Sequence, residues 1–311
     1  MRTILILGGF GFIGTNIMKH LEKNSYDEYR FIVFDKFEQH AHNVRCSNVY
    51  KVYSGDFSDA SFIENIFKEN SIDLVLHFLS STVPVTSDNA VYDVASNLVP
   101  TLNLLKIMDK YGVRDIVYMS SGGAIYGDKL KKVHNEDDAV YPKSSYGVVK
   151  LAIEKYLLSY SELNGFKTLI FRLSNPYGPY QYNNKQGIIN IAIRKALANE
   201  KVQIWGSGDG VKDYIYIEDV CSIIFRMIEN GINTGVYNMA AGSSHSVNEI
   251  VETIKGIIPS CEWEHVNASL NDVQSFELDI TKLRSKLGAI RFTPFELGIQ
   301  KSIDWQKCQE Y

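Results

Sequence analysis

The 311-residue chain is predicted to be an α/β protein: a doubly wound parallel sheet in its first half, then a smaller, mixed α/β part. Three observations predict it. Short runs rich in Ile, Val, Leu and Phe alternate with helical patterns from residue 3 to residue 172. A glycine-rich turn joins the first run to the first helical stretch, and an acid, Asp35, closes the second run. Strand–helix alternation of this kind implies parallel strands covered on both faces.

The elements follow in order. Strands are expected at 3–7, 30–34, 49–53, 74–77, 116–119 and 168–172, each ending near Gly, Ser, Asp or Asn. Helices are expected at 12–23, 58–68, 91–110 and 145–163. After residue 172 the pattern changes: Pro176, Pro179 and the polar run 181–186 read as a loop. A helix at 188–199, strands at 202–205 and 214–217, a helix at 220–229, a strand at 236–239 and a helix at 247–257 complete the pattern. The boundary is placed at 175/176, with residues 1–175 as the sheet domain. Residues 176–311 are mainly a substrate-binding part, some of whose segments return to the sheet.

Apolar residues make up 45% of the chain and charged residues 22%, a balance typical of soluble globular proteins. The net charge of −4 argues against a dedicated nucleic-acid binder, which carries a basic stripe. Four dispersed cysteines, Cys46, Cys221, Cys261 and Cys308, form no Cys-x-x-Cys pair and no metal-ligand spacing. The apolar N-terminus runs into glycines rather than a cleavage site, and no apolar run reaches about eighteen residues. A cytoplasmic protein with no bound metal and no membrane span is expected.

Gly8-Gly9-Phe10-Gly11-Phe12-Ile13-Gly14 follows a strand and opens a helix. In that context Gly8 and Gly11 permit a tight turn close to a pyrophosphate, Gly14 lets helix and strand pack, and the helix N-terminus faces the phosphates. Asp35 stands where an acid binds the adenosine ribose hydroxyls, which favours NAD over NADP; Lys36 beside it keeps NADP open. Further along, Tyr146 and Lys150 are four apart at the start of a helix and share one face. A phenol titrates near 10, so it needs a neighbouring ammonium to act as an acid/base at neutral pH.

Taken together, these motifs resemble the extended short-chain dehydrogenase/reductases, specifically the NAD-dependent nucleotide-sugar epimerase/dehydratase group. The resemblance extends through Gly55-Asp56, the stretch around His77, Asn97, Ser120-Ser121-Gly122-Gly123-Ala124-Ile125-Tyr126-Gly127, Arg172 to Pro179 and Lys212 to Val220. It implies a Rossmann-type fold and a bound NAD held by Gly8, Gly11, Phe12, Ile13, Gly14, Asp35, Asp56, Phe57, Leu79, Asn97, Tyr146 and Lys150. It also implies that Tyr146 moves the proton of a sugar hydroxyl, and that Asn175, Tyr177 and Lys212 meet a nucleotide-sugar substrate.

Three departures bear on the substrate half. The usual catalytic Ser or Thr is replaced by Gly122, so Ser121 is taken as the hydroxyl beside the substrate oxygen. Lys212 stands where an Arg normally meets the diphosphate, and Ser269 where a later Arg stands, before Asp272. A nucleotide-sugar 4-epimerase is the leading reading, a 4-keto-sugar reductase the second, and a non-catalytic NAD-binding protein the third. A dehydratase ranks lower, because Gly123 and Ala124 occupy the positions of its Asp-Glu pair. The resemblance also implies a homodimer built on helices 91–110 and 145–163, with Leu98, Leu102, Leu105, Val149, Ile153 and Tyr156 as their apolar residues.

Overall fold

The computed structural model describes residues 1–24, 26, 28–36, 47–82, 87, 89–127, 133–182, 186–267 and 276–309. Cys46, Ser269 and Asp272 lie outside them. The first part runs β1 (Arg2–Leu7), α1 (Phe12–Lys23), β2 (Tyr29–Asp35), β3 (Val49–Ser54), α2 (Ala60–Glu69), β4 (Leu74–His77) and α3 (Ala90–Asp93). A π-helical segment, Val94–Leu98, leads into α4 (Val99–Lys110), β5 (Asp115–Ser121), α5 (Gly122–Tyr126), β6 (Val133–His134), α6 (Ser145–Asn164) and β7 (Lys167–Leu173). The remainder is β8 (Asn175–Tyr177), α7 (Ile188–Leu197), β9 (Val202–Trp205), β10 (Val211–Tyr216), α8 (Ile217–Glu229), β11 (Gly235–Met239), β12 (Ser244–Ser246), α9 (Val247–Ile257), β13 (Trp263–Val266), β14 (Glu277–Leu278), α10 (Thr281–Leu287) and α11 (Phe295–Lys307).

Seven parallel strands form the main sheet in the order β3-β2-β1-β4-β5-β7-β11. Successive side chains of a strand point to opposite faces. Ile4 and Ile6 of β1 therefore enter a core with α1 and α8, and Leu5 and Leu7 enter a second core with α2, α4 and α6. The strand order reverses between β1 and β4. The connections after these two strands go to opposite faces of the sheet, α1 to one and α4 to the other, and the carboxyl ends between them are the usual ligand position in such sheets. A third core, from β9, β10, α7, α9 and α11, underlies the smaller part.

Several elements depart from the sequence expectation. The helix expected at 91–110 is interrupted by the π segment at Val94–Leu98. Residues 175–177, expected as loop because of Pro176, form an edge strand paired to β10 alone, a place where a missing N–H leaves no ladder bond unmade. Of the residues named for a dimer face, Leu105, Val149 and Ile153 are buried in the second core, because α4 and α6 turn their apolar stripes onto the sheet. Val91 and Tyr92 of α3, Val94 of the π segment, Val99 of α4, and Val148, Tyr156 and Leu163 of α6 are the exposed large apolar residues here. Among the described residues, no helix is long and apolar enough to cross a membrane.

Candidate active site

The turn after β1 has the shape that its glycines permit. Gly8 sits at φ +83°, and a Cβ there would meet the backbone nitrogen of Leu79 at 2.9 Å. At Gly14 a Cβ would lie 2.3 Å from the Gly8 carbonyl oxygen, so only glycine lets α1 start against the turn. Gly11 is the N-cap of α1, and no side chain caps that end, which leaves the amides of Phe12, Ile13 and Gly14 for an anion. Asp35 closes β2 and accepts from the amides of Phe10 (2.8 Å) and Lys36 (2.7 Å). A carboxylate has about four lone-pair sites, so two remain for ribose hydroxyls. The cradle therefore fits a dinucleotide.

Asp56 accepts from the hydroxyl and amide of Ser58 and from Lys36 Nζ at 3.0 Å. The Ser58 bonds, then the lysine, hold its carboxyl down at about 2. Phe57, expected to hold NAD, has its ring in the second core, 5.4 Å from the His77 ring. Asn97 lies in the π segment, a local irregularity often found at functional positions. Its side chain holds the loop after β4 by accepting from the Ser81 amide at 2.8 Å.

At the catalytic end, α6 begins with the Ser144 side chain accepting from the Gly147 amide, while Ser87 accepts from the Tyr146 amide at 2.7 Å. Tyr146, Lys150, Asn97 and Leu79 line one small cavity, together with Ser80, Thr82, Thr101, Tyr118, Val149 and Ile153. Lys150 donates to the Met119 carbonyl at 2.9 Å and lies 5.7 Å from the centre of the Tyr146 ring. Burial pulls its ammonium down to about 8, against the carboxylate of Glu154.

The Ser121 hydroxyl near the Tyr146 phenol favours its charged form, yet burial pushes the phenol up to about 12. That corrects the expectation of a lowered phenol in the protein alone. Desolvation of the phenolate outweighs the Ser121 hydroxyl, and the Lys150 ammonium is directed at the Met119 carbonyl. Gly122 is explained by packing: a Cβ there would lie 2.8 Å from Leu278 Cδ1, so β14 occupies the room a side chain would need.

The predicted substrate residues are dispersed. Asn175 donates from its side chain to the Asp213 carbonyl at 2.9 Å. Lys212 lies on β10 opposite His245 of β12. Tyr177, expected at the substrate, is 2% exposed and packs edge-on against Tyr216 and Phe295 in the third core. His77 is buried, shares a hydrogen bond with Thr101 at 3.0 Å, and is held by desolvation down at about 3. Sequence reasoning missed Ser80, Thr82, Thr101, Glu154 and Arg172. For Thr101 and Glu154 a signal was present, since each stands four residues after a chosen one, Asn97 and Lys150.

Fold and site define an enzyme of the extended short-chain dehydrogenase/reductase type. The profile of the NAD dependent epimerase/dehydratase family matches residues 4–240, and the chain belongs to that family. A protein of Methanocaldococcus jannaschii, provisionally named a UDP-glucose 4-epimerase, is 32% identical over 98% of both chains. A dTDP-4-dehydro-6-deoxyglucose reductase of Escherichia coli is 30% identical, again over 98% of both. The solved UDP-glucose 4-epimerase of Thermotoga maritima, with UDP-glucose, superposes with a TM-score of 0.89 at 28% identity, covering all of both chains.

Proposed function

We propose that this chain is a nucleotide-sugar 4-epimerase that uses NAD in preference to NADP. The observation that carries the reading is the Tyr146–Ser121 hydroxyl pair at the carboxyl end of β5, in the crevice that begins at the glycine turn. The likeness to a UDP-glucose 4-epimerase over the whole chain supports it. NAD, when bound, supplies the hydride acceptor and donor for C4 of the sugar. Tyr146 takes the proton of the 4-hydroxyl and returns it after the keto sugar has turned over in the site. Ser121 donates to the same oxygen and steadies its charge. Lys150 holds the nicotinamide ribose and favours the phenolate. Asn175 faces the substrate, and Lys212 meets the diphosphate as a single charge rather than a fork. Asp35 accepts from the ribose hydroxyls and repels a 2′-phosphate.

A 4-keto-sugar reductase is the second reading, favoured by the reductase relative of E. coli. A panel of UDP- and dTDP-sugars separates the two. The epimerase interconverts 4-epimers with no net change in reduced-cofactor absorbance. Stoichiometric loss of NADH with a 4-keto sugar, and no epimerisation, would replace it with the reductase. The same reading includes a homodimer through the exposed apolar residues of α3, α4 and α6, three helices that pack together. Light scattering at micromolar concentration reports a dimer, and Val148→Asp with Tyr156→Asp reports a monomer; a wild-type monomer refutes it.

A further inference from the structure

Lys150 and Glu154 lie one turn apart on α6, 6% and 0% exposed. An ammonium and a carboxylate at that spacing on a helix face ordinarily pair with each other. Here each is turned elsewhere. Lys150 reaches the Met119 carbonyl of β5, and Glu154 is taken by Arg172 of β7. Arg172 Nη2 donates to Oε2 of Glu154 at 2.9 Å, and its Nε lies 3.3 Å from both carboxylate oxygens. Its Nη1 points the other way, to the Tyr126 hydroxyl at 2.9 Å and the Glu136 carbonyl at 3.2 Å. The Tyr126 hydroxyl in turn donates to Asn238 at 2.8 Å, so the guanidinium is anchored on both sides. A buried ion pair is often no more stabilising than apolar side chains of the same volume. Stability alone therefore gives no reason for this one.

We infer that Arg172 is a positioning residue for the Tyr146–Lys150 pair: by occupying Glu154 it prevents Lys150 from folding back along α6 and holds its ammonium at the end of β5, beside Tyr146. The inference rests on the acid/base reading of that pair. Glu154 still favours the charged lysine through space. The other ionisable groups facing Lys150 are Tyr146 on α6, Tyr118 on β5 and His77 on β4. Burial keeps all three uncharged near neutral pH in the protein alone. A lysine at position 172 would keep the charge but lose the fork that engages carboxylate and tyrosine together.

The test uses the full chain as Arg172→Met, Arg172→Lys, Lys150→Met and the double variant Arg172→Met/Glu154→Met. In a crystal structure of Arg172→Met, Lys150 Nζ is expected on the Glu154 carboxylate instead of the Met119 carbonyl. Its kcat is expected to fall roughly 10²-fold, the scale of a misplaced catalytic group, with KM little changed. The pH–rate limb that reports the Tyr146 proton moves to higher pH, because a more distant ammonium stabilises the phenolate less. Arg172→Lys recovers part of the rate. The double variant removes the competing carboxylate and recovers most of it. Lys150 still on Met119 in Arg172→Met overturns the inference. So does a double variant that fails to fold or is no more active than Lys150→Met. Crystallography and ultraviolet titration of the phenolate need no substrate, so the role of Arg172 is tested even if the substrate assignment is wrong.

Discussion

At the proposed adenosine end of the crevice, Lys36 and Asp56 meet at 3.0 Å with side chains 61% and 52% exposed. At the catalytic end, Arg172 and Glu154 meet at 2.9 Å with side chains 6% and 1% exposed. The chemistry is alike and the consequence is not. Water and salt screen the first pair, which therefore contributes little and is free to rearrange around a cofactor. The second pair is desolvated, so its partners are bound to each other and its charges reach across the interior to Lys150. On the proposed function, exposed charges would tune cofactor selectivity at one end of the crevice, and buried ones would set protonation at the other.

The comparison breaks first at the catalytic end if its fixed groups prove dispensable. Ser121→Ala should lower the rate by ~10²–10³, the scale of a lost hydrogen-bond donor to a reacting oxygen, and Tyr146→Phe at least as much. Calorimetry should find NAD affinity nearly unchanged in Ser121→Ala. Full activity of that variant on a confirmed substrate removes the hydroxyl pair from the mechanism.

His77 sharpens the contrast through stability. Its folded value of about 3 lies below the ordinary 6.5 because burial disfavours the charged ring. Between those values the unfolded chain binds a proton that the native state does not. The contribution of His77 is thus fully present above pH 6.5 and is lost as pH falls toward 3. His77→Gln should narrow the gap between neutral and acid stability in urea titrations across that window. An unchanged acid limb means that the ring is not desolvated in solution.

The smallest effect belongs to the exposed pair. Asp56→Asn releases Lys36 toward a 2′-phosphate and should tighten NADP by roughly 2–5-fold, the scale of an exposed ion pair, with unfolding midpoints unmoved. A large change in stability would show that this pair is not loosely held.

Much of the fold was legible because its signals are local. The expected bounds 74–77, 12–23, 202–205 and 247–257 match β4, α1, β9 and α9, where an apolar period runs uninterrupted between turn residues. Two of the elements missed, β14 and β8, owe their stability to distant parts of the chain. β14 is two residues long and exists because Glu277 and Leu278 lie beside Val133 and His134. β8 depends on β10, which arrives much later in the chain. In the site, Tyr177 stood in a loop-like, proline-flanked motif that gave no hint of the aromatic core around it.

By itself the sequence determined the dinucleotide turn, the acid at the end of β2 and the Tyr146–Lys150 spacing. Each is settled within a turn or two of chain, by glycine's conformational range or by the helical repeat of about 3.6 residues. The tertiary structure alone decided what stands against Gly122, because Leu278, far along the chain, lies where a side chain there would go. It alone decided that Lys150 reaches the Met119 carbonyl rather than Glu154, because the competing partner, Arg172, arrives on another strand. Local pattern fixes which residues share a face; the partner each charge takes inside the protein depends on what the rest of the chain delivers to it.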